Sequence, residues 1–154
     1  MLVSDPEELS TIDPFTNSAH DRGYTDADVS LRNHIDVLVV DDNRLVADTT
    51  TAILKLFGFS AITAYDGATA LRLAVETNPD ILLSDVMMPV LNGVDLAIAI
   101  REIRPETAIV LFSGQAATND ILRSARQKGH FFEILSKPIP PEELVRHLHC
   151  LRRT

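Results

Sequence analysis

"DILLSDVMMPVLNG", residues 80–93, is an apolar run that climbs to a single acid, Asp85, and then opens into a loop holding Pro89 and Gly93. Its apolar part has the length and texture of a strand covered on both faces. A lone carboxylate at the end of such a strand is costly unless it is paired, metal-bound or chemically used. Similar runs occur elsewhere. "IDVLVV" (35–40) leads into Asp41 and Asp42, "AIVLF" (108–112) into Ser113 and Gly114, and "FEILS" (132–136) into Lys137, while "SAITAY" (60–65) is more mixed.

The segments between these runs have helical length and period. Leu45, Val46, Thr49, Ile53, Leu56 and Phe57 form a stripe ending at Gly58, which is placed as a left-handed cap. Asp66 is placed to cap a second helix, with Leu71, Ala74 and Val75 inward and Pro79 beyond its end. Asn92 caps a third that runs to Pro105 with Leu96, Ile100 and Ile103 inward. Asn119 and Gly129 bracket a fourth, and Pro140 or Pro141 opens a fifth with Leu144, Leu148 and Leu151 on one face. Strands alternating with helices predict an α/β fold: a doubly wound, five-stranded parallel sheet with helices on both faces and strand 60–65 at an edge.

At 154 residues the chain is one domain's worth. Residues 1–34 lack periodicity and carry seven acids against two arginines, so they are expected to be a flexible acidic extension, with the folded domain over 35–154. The net charge of −8 argues against direct binding to nucleic acid. The single cysteine, Cys150, excludes an internal disulfide. No signal peptide and no membrane-spanning run is read, and a cytoplasmic protein without membrane insertion is expected.

In open parallel α/β sheets the functional crevice lies outside the carboxyl ends of the strands. Asp41, Asp42, Asp85, Ser113 and Lys137 all fall there, and the opposite end is expected to offer no comparable set. Each has a plainer reading. Asp41 or Asp42 can simply cap the helix near Arg44, Ser113–Gly114 can be a turn, and Lys137 a surface lysine. Asp85 is too far from the next helix to cap it. Three crowded carboxylates repel unless protonated or bridged by a cation. Oxygen ligands without nearby His or Cys favour Mg²⁺. An Asp beside Mg²⁺ can attack a phosphoryl group, with Lys137 and Ser113 facing its oxygens.

"VLVVDDN", "DILLSDVMMPVLNGVDL", "IVLFSG" and "ILSKPIPPEEL" together resemble the motifs of a response-regulator receiver domain, the CheY-like family of two-component signalling, over about residues 35–152. The resemblance implies the flavodoxin-like strand order 2-1-3-4-5. It implies Asp85 as phosphoacceptor, Asp41 and Asp42 as the acidic Mg²⁺ pair, the Met87 carbonyl as a third protein ligand, Ser113 as the switch hydroxyl and Lys137 as the family's lysine. It further implies a cis Lys137–Pro138 bond and partners in a sensor histidine kinase or histidine phosphotransfer protein and a downstream protein effector. Such a domain is not an enzyme in the usual sense, because it catalyses only its own phosphorylation and dephosphorylation. One departure stands out: where receivers usually carry Tyr or Phe, three residues before the lysine, this chain has Ile134, so that either Phe131 or Phe132 takes the aromatic's place or the coupling is different. Only two residues follow the fifth helix, so a stand-alone receiver is expected. The alternatives are a degenerate receiver that only binds partners, and a Mg²⁺-dependent phosphohydrolase. The second is disfavoured because "VVDDNR" has adjacent acids rather than two acids spaced by one residue.

Overall fold

The computed structural model describes residues 34–114 and 118–152. The acidic extension expected over 1–34 therefore lies, apart from His34, outside the described residues. Five strands, β1 (Val37–Val40), β2 (Ala61–Ala64), β3 (Ile81–Asp85), β4 (Ala108–Ser113) and β5 (Glu133–Ser136), alternate with five helices. These are α1 (Arg44–Leu56), α2 (Gly67–Thr77), α3 (Gly93–Ile103), α4 (Thr118–Gln127) and α5 (Pro141–His149). All strand pairs are parallel and the order is β2-β1-β3-β4-β5, the order that the resemblance implies.

The period-2 alternation of the central strands sends their side chains to two cores. Leu38, Val40, Leu82 and Leu111 meet α2, α3 and α4 through Ala70, Ala74, Leu96, Ile100 and Leu122. Val37, Val39, Leu83, Val110 and Phe112 meet α1 and α5 through Leu54, Leu144 and Leu148. Burial of β1, β3 and β4 on both faces is what their unbroken apolar runs require. Asp66 and Asn92 cap α2 and α3 by accepting from the amides of Thr69 and Asp95 at 2.7 and 2.9 Å. Gly58 and Gly129 take the left-handed conformation past α1 and α4.

Several side chains expected inward are not. On α1 the buried face is Ala47, Thr51 and Leu54, whereas Leu45, Val46, Leu56 and Phe57 point to solvent. The helix carries two apolar stripes. The smaller side chains win because they let α1 lie close on the sheet, where Thr51 and Thr63 share a 2.6 Å hydroxyl contact. Val75 on α2 and Ile103 on α3 are also exposed, since Ala74 and Ile100 already fill the seams at those turns.

The amino-terminal edge of the sheet also departs from expectation, for it holds a buried polar group of its own. Asp36 and Asp80, which precede β1 and β3, lie within 4.8 Å of one another and of His34. Arg152 approaches Asp36 at 2.9 Å, the Ser60 amide donates to Asp36 at 2.8 Å, and His34 Nε2 lies 3.0 Å from Asp80. Protein groups thus compensate these acids and tie the tail after α5 to the start of β1. The sequence hid them because each reads as the polar residue that ordinarily precedes a strand.

Candidate functional site

The carboxyl edge is built by strand register. β1 ends one residue before Asp41, and β3, its partner, ends on Asp85. β4 ends on Ser113, and the Lys137 amide continues the β4–β5 ladder by donating to the Ser113 carbonyl at 3.0 Å. The Lys137–Pro138 bond is cis, as the resemblance implies.

The plainer reading of the first two acids fails on a specific contact. The N-cap of α1 is Asn43, whose Oδ1 accepts from the Val46 amide at 3.3 Å. Asp41 Oδ1 instead receives the Asn43 amide at 3.0 Å, which leaves its Oδ2 to face Lys137. Asp42 is exposed at the mouth. Asn43 thus frees both carboxylates from capping, a role that only the cap geometry shows.

Lys137 Nζ stands 3.3 Å from Asp41 Oδ2 and 3.4 Å from Asp85 Oδ1, bridging the two. Asp41, Asp42 and Asp85 each present an oxygen within 4.8 Å of the others. Burial pushes the Asp85 carboxyl above its ordinary value; Lys137 opposes the shift, and the Asp41 and Asp42 charges add to it. Three carboxylates against one ammonium leave a formal charge of about −2, which one divalent cation balances. The donor set therefore suits a hard divalent cation.

Two further groups hold the site: Gly93, which reads in the sequence only as a loop residue, and Thr118, which was not singled out there. A Cβ on Gly93 would stand 2.0 Å from the Asp85 carbonyl oxygen, so the start of α3 can pass behind the acid only as glycine. The Gly93 amide also donates to Val86 at 2.9 Å. Thr118, buried at the start of α4, places Oγ1 2.5 Å from Ser113 Oγ. No periodic signal in "GQAATND" marks it. A side chain at Gly114 would touch only the Lys137 stem at 3.7 Å, an ordinary contact. Met87, two residues past Asp85, has an exposed side chain. Ile134 packs into the α2–α4 core opposite Leu111. Neither phenylalanine takes its place: Phe131 is exposed, and Phe132 lies under the Arg101 guanidinium at 4.4 Å.

Strand order and the position of the acidic group define the class of CheY-like α/β domains. The chain belongs to the response regulator receiver domain family, whose model matches residues 37–149, and so to the receivers of two-component systems. It is 38% identical over 117 residues to the transcriptional regulatory protein PrrA of Mycobacterium tuberculosis, covering 76% of this chain and 49% of that protein. It is 32% identical over 120 residues to the DNA-binding response regulator MtrA of Mycobacterium leprae, covering 76% and 51%. The chain thus spans about half the length of the curated relatives it matches. Among solved structures, a response regulator receiver domain protein from Clostridium thermocellum superposes with a TM-score of 0.68 at 27% identity, covering 76% of this chain and 93% of that one. The chemotaxis protein CheY4 of Vibrio cholerae does so with 0.66 at 28%, covering 77% and 98%.

Proposed function

We propose that the domain accepts a phosphoryl group on Asp85 from a phosphohistidine of a sensor kinase or phosphotransfer protein, and that this switches a protein-binding surface. The observation that carries the proposal is the Lys137 ammonium bridging Asp41 and Asp85 within one acidic group. An Asp85 carboxylate oxygen attacks phosphorus in line, the phosphorus–nitrogen bond breaks, and the imidazole leaves with its electron pair. Lys137 and Ser113 are placed to face the phosphoryl oxygens, and Asp41 holds the ammonium in position. Mg²⁺, held by Asp41, Asp42, Asp85 and the Met87 carbonyl, would supply charge neutralisation on the phosphoryl oxygens. A complete acidic set with its lysine favours this reading over a degenerate binding module. Incubation with Mg²⁺ and a small phosphodonor tests it, with an acid-stable, base-labile phosphoryl adduct as the expected result. No adduct at any Mg²⁺ concentration would contradict it.

The surroundings of the mouth suit a protein donor. Leu45, Met87 and Val90 leave the same sheet edge with exposed side chains, and Val90 holds a positive φ of 68°, an uncommon state for a β-branched residue. A largely apolar cavity of about 270 Å³ between α1 and α5, lined by Val46, Ile53, Pro138 and Leu144, reaches Asp41 and Lys137. An apolar collar around an acidic centre fits a phosphohistidine presented on an apolar helical surface. No helix of the described residues is long and apolar enough to cross a membrane. We place the domain in the cytoplasm, where a kinase's phosphohistidine would meet it, and direct nucleic-acid contact is not part of the proposal.

Asp42→Ala, alone or with Asp41→Ala, is expected to lower Mg²⁺ affinity about tenfold or more and to slow labelling, since a charged ligand is lost. The metal-free Asp42→Ala variant should be the more stable protein because a like charge beside Asp41 and Asp85 is removed. A metal titration with unchanged affinity in both variants would refute the pair's role. For the switch, Ser113→Ala should still be phosphorylated while changing partner affinity less. Ile134→Ala should alter partner affinity in both states, because an isoleucine can report only by packing. Partner binding measured with and without the phosphoryl group checks both outcomes. Wild-type affinity of Ile134→Ala in both states would place the output surface elsewhere.

A further inference from the structure

A second polar concavity adjoins the acidic site without belonging to it. It measures about 280 Å³, lies between the end of β4, β5 and α4, and is lined by Ser113, Asn119, Arg123, Arg126, Ile134 and Ser136, with Leu122 at its base. Its polar lining residues are two arginines, two serines and an asparagine, all carrying groups able to donate. Among the described residues no carboxylate lines it, although the chain as a whole carries −8. Arg123 approaches the side chain of Asp120 only at 4.0 Å, with both groups largely exposed, so that pairing is weak. Ile134, which packs against the core, forms one wall of the concavity. A ring at this position would extend into it.

We propose that this concavity binds a small oxyanion, a carboxylate or a phosphate, and that its occupancy competes with phosphorylation of Asp85 for the Ser113 hydroxyl. Guanidinium groups recognise both anions through paired N–H donors, and the hydroxyls and amide supply the neutral bonds. Ser113 is the shared wall. Its Oγ now meets Thr118 Oγ1, and its backbone lies beside Lys137 and one residue past Phe112, the register partner of Asp85. A hydroxyl that donates to an anion on the α4 side cannot also donate to a phosphoryl group on the Asp85 side. Linkage then makes the antagonism reciprocal. The binding half stands without the reading of Asp85 as acceptor; the competition half rests on it.

The test is a titration of the metal-free, unphosphorylated protein with inorganic phosphate, followed through the amide resonances of Ser113, Asn119 and Ser136. Saturable shifts at these amides are expected. Arg123→Gln with Arg126→Gln should weaken binding about tenfold or more, as loss of charge-assisted bonds does. Ile134→Phe should weaken it comparably by filling the space while leaving net charge unchanged. Repeating the titration with a short Glu-rich peptide distinguishes the sources: tighter binding of the peptide with the same arginine dependence assigns the site to a partner's carboxylates, and tighter binding of phosphate assigns it to a free or esterified phosphate. On protein labelled at Asp85 by a small phosphodonor, affinity should fall severalfold. Shifts that survive both the arginine and the Ile134→Phe changes would overturn the site. So would their absence at about 50 mM phosphate, where general screening already acts. Equal affinity in labelled and unlabelled protein would overturn the competition, and failure of labelling itself would instead overturn the reading of Asp85.

Discussion

Asp85→Asn is expected to take up no phosphoryl group from a small phosphodonor at any Mg²⁺ concentration, while keeping the wild-type fold. The amide is nearly isosteric with the acid but a poor nucleophile. The same substitution should stabilise the metal-free protein. Burial raises the Asp85 carboxyl above its ordinary value, so the folded state binds that proton more tightly than the unfolded chain does. An acid of this kind costs stability when ionised. Wild-type stability should therefore fall as the pH rises through the raised value, and the advantage of Asp85→Asn should be full above it. The gap should close as the pH drops and Asp85 becomes neutral in both states. Added Mg²⁺ should reverse the order, because it binds the wild-type folded state better. Thermal unfolding at acid and neutral pH, with and without metal, reads each of these signs. Full labelling of the variant would move the acceptor elsewhere.

Gly93→Ala should be the most damaging single-methyl change near the site. The new Cβ would stand 2.0 Å from the Asp85 carbonyl oxygen, 2.9 Å from its carbon and 3.0 Å from Val86 Cα. These are backbone atoms, held by the Val86 amide bond to the Phe112 carbonyl at 3.0 Å, so no side chain can swing aside. Overpacking of this severity costs about 3 kcal/mol or more. Whatever folds should carry a displaced Asp85, with weaker Mg²⁺ binding and slower labelling. Denaturant unfolding with a wild-type midpoint would show that the loop relaxes and that glycine is not required there.

Why some of this was legible in the sequence and some was not has a physical basis. Strands buried on both faces leave unbroken apolar runs, and each run here ends where its polar residue must meet the crevice; Asp85, Ser113 and Lys137 were readable for that reason. Helix faces were less readable. On α1 the sequence offers Leu45, Val46, Leu56 and Phe57 against Ala47, Thr51 and Leu54, and helical periodicity alone cannot say which stripe meets the sheet. The larger residues of the second stripe stay outside. Asn43 competes with two neighbouring acids for one cap, and only backbone geometry assigns it. Gly93 and Thr118 act through close approach and a single hydroxyl contact, neither of which leaves a periodic trace. Asp36 and Asp80 were missed because the carboxyl-edge rule directs attention away from the opposite end, where acids serve as internal ties.

The central claim is that phosphorus bonds to the Asp85 carboxylate. An acyl phosphate is reduced by borohydride to the alcohol, which converts an aspartyl phosphate into homoserine. The wild-type chain should be incubated with Mg²⁺ and a small phosphodonor, reduced, digested, and the peptides covering residues 35–44 and 80–93 sequenced by mass spectrometry. Homoserine at position 85, dependent on both donor and metal, is the predicted result. Homoserine at position 41 or 42 instead, or an unreduced aspartate at all three positions after a full incubation, would contradict it.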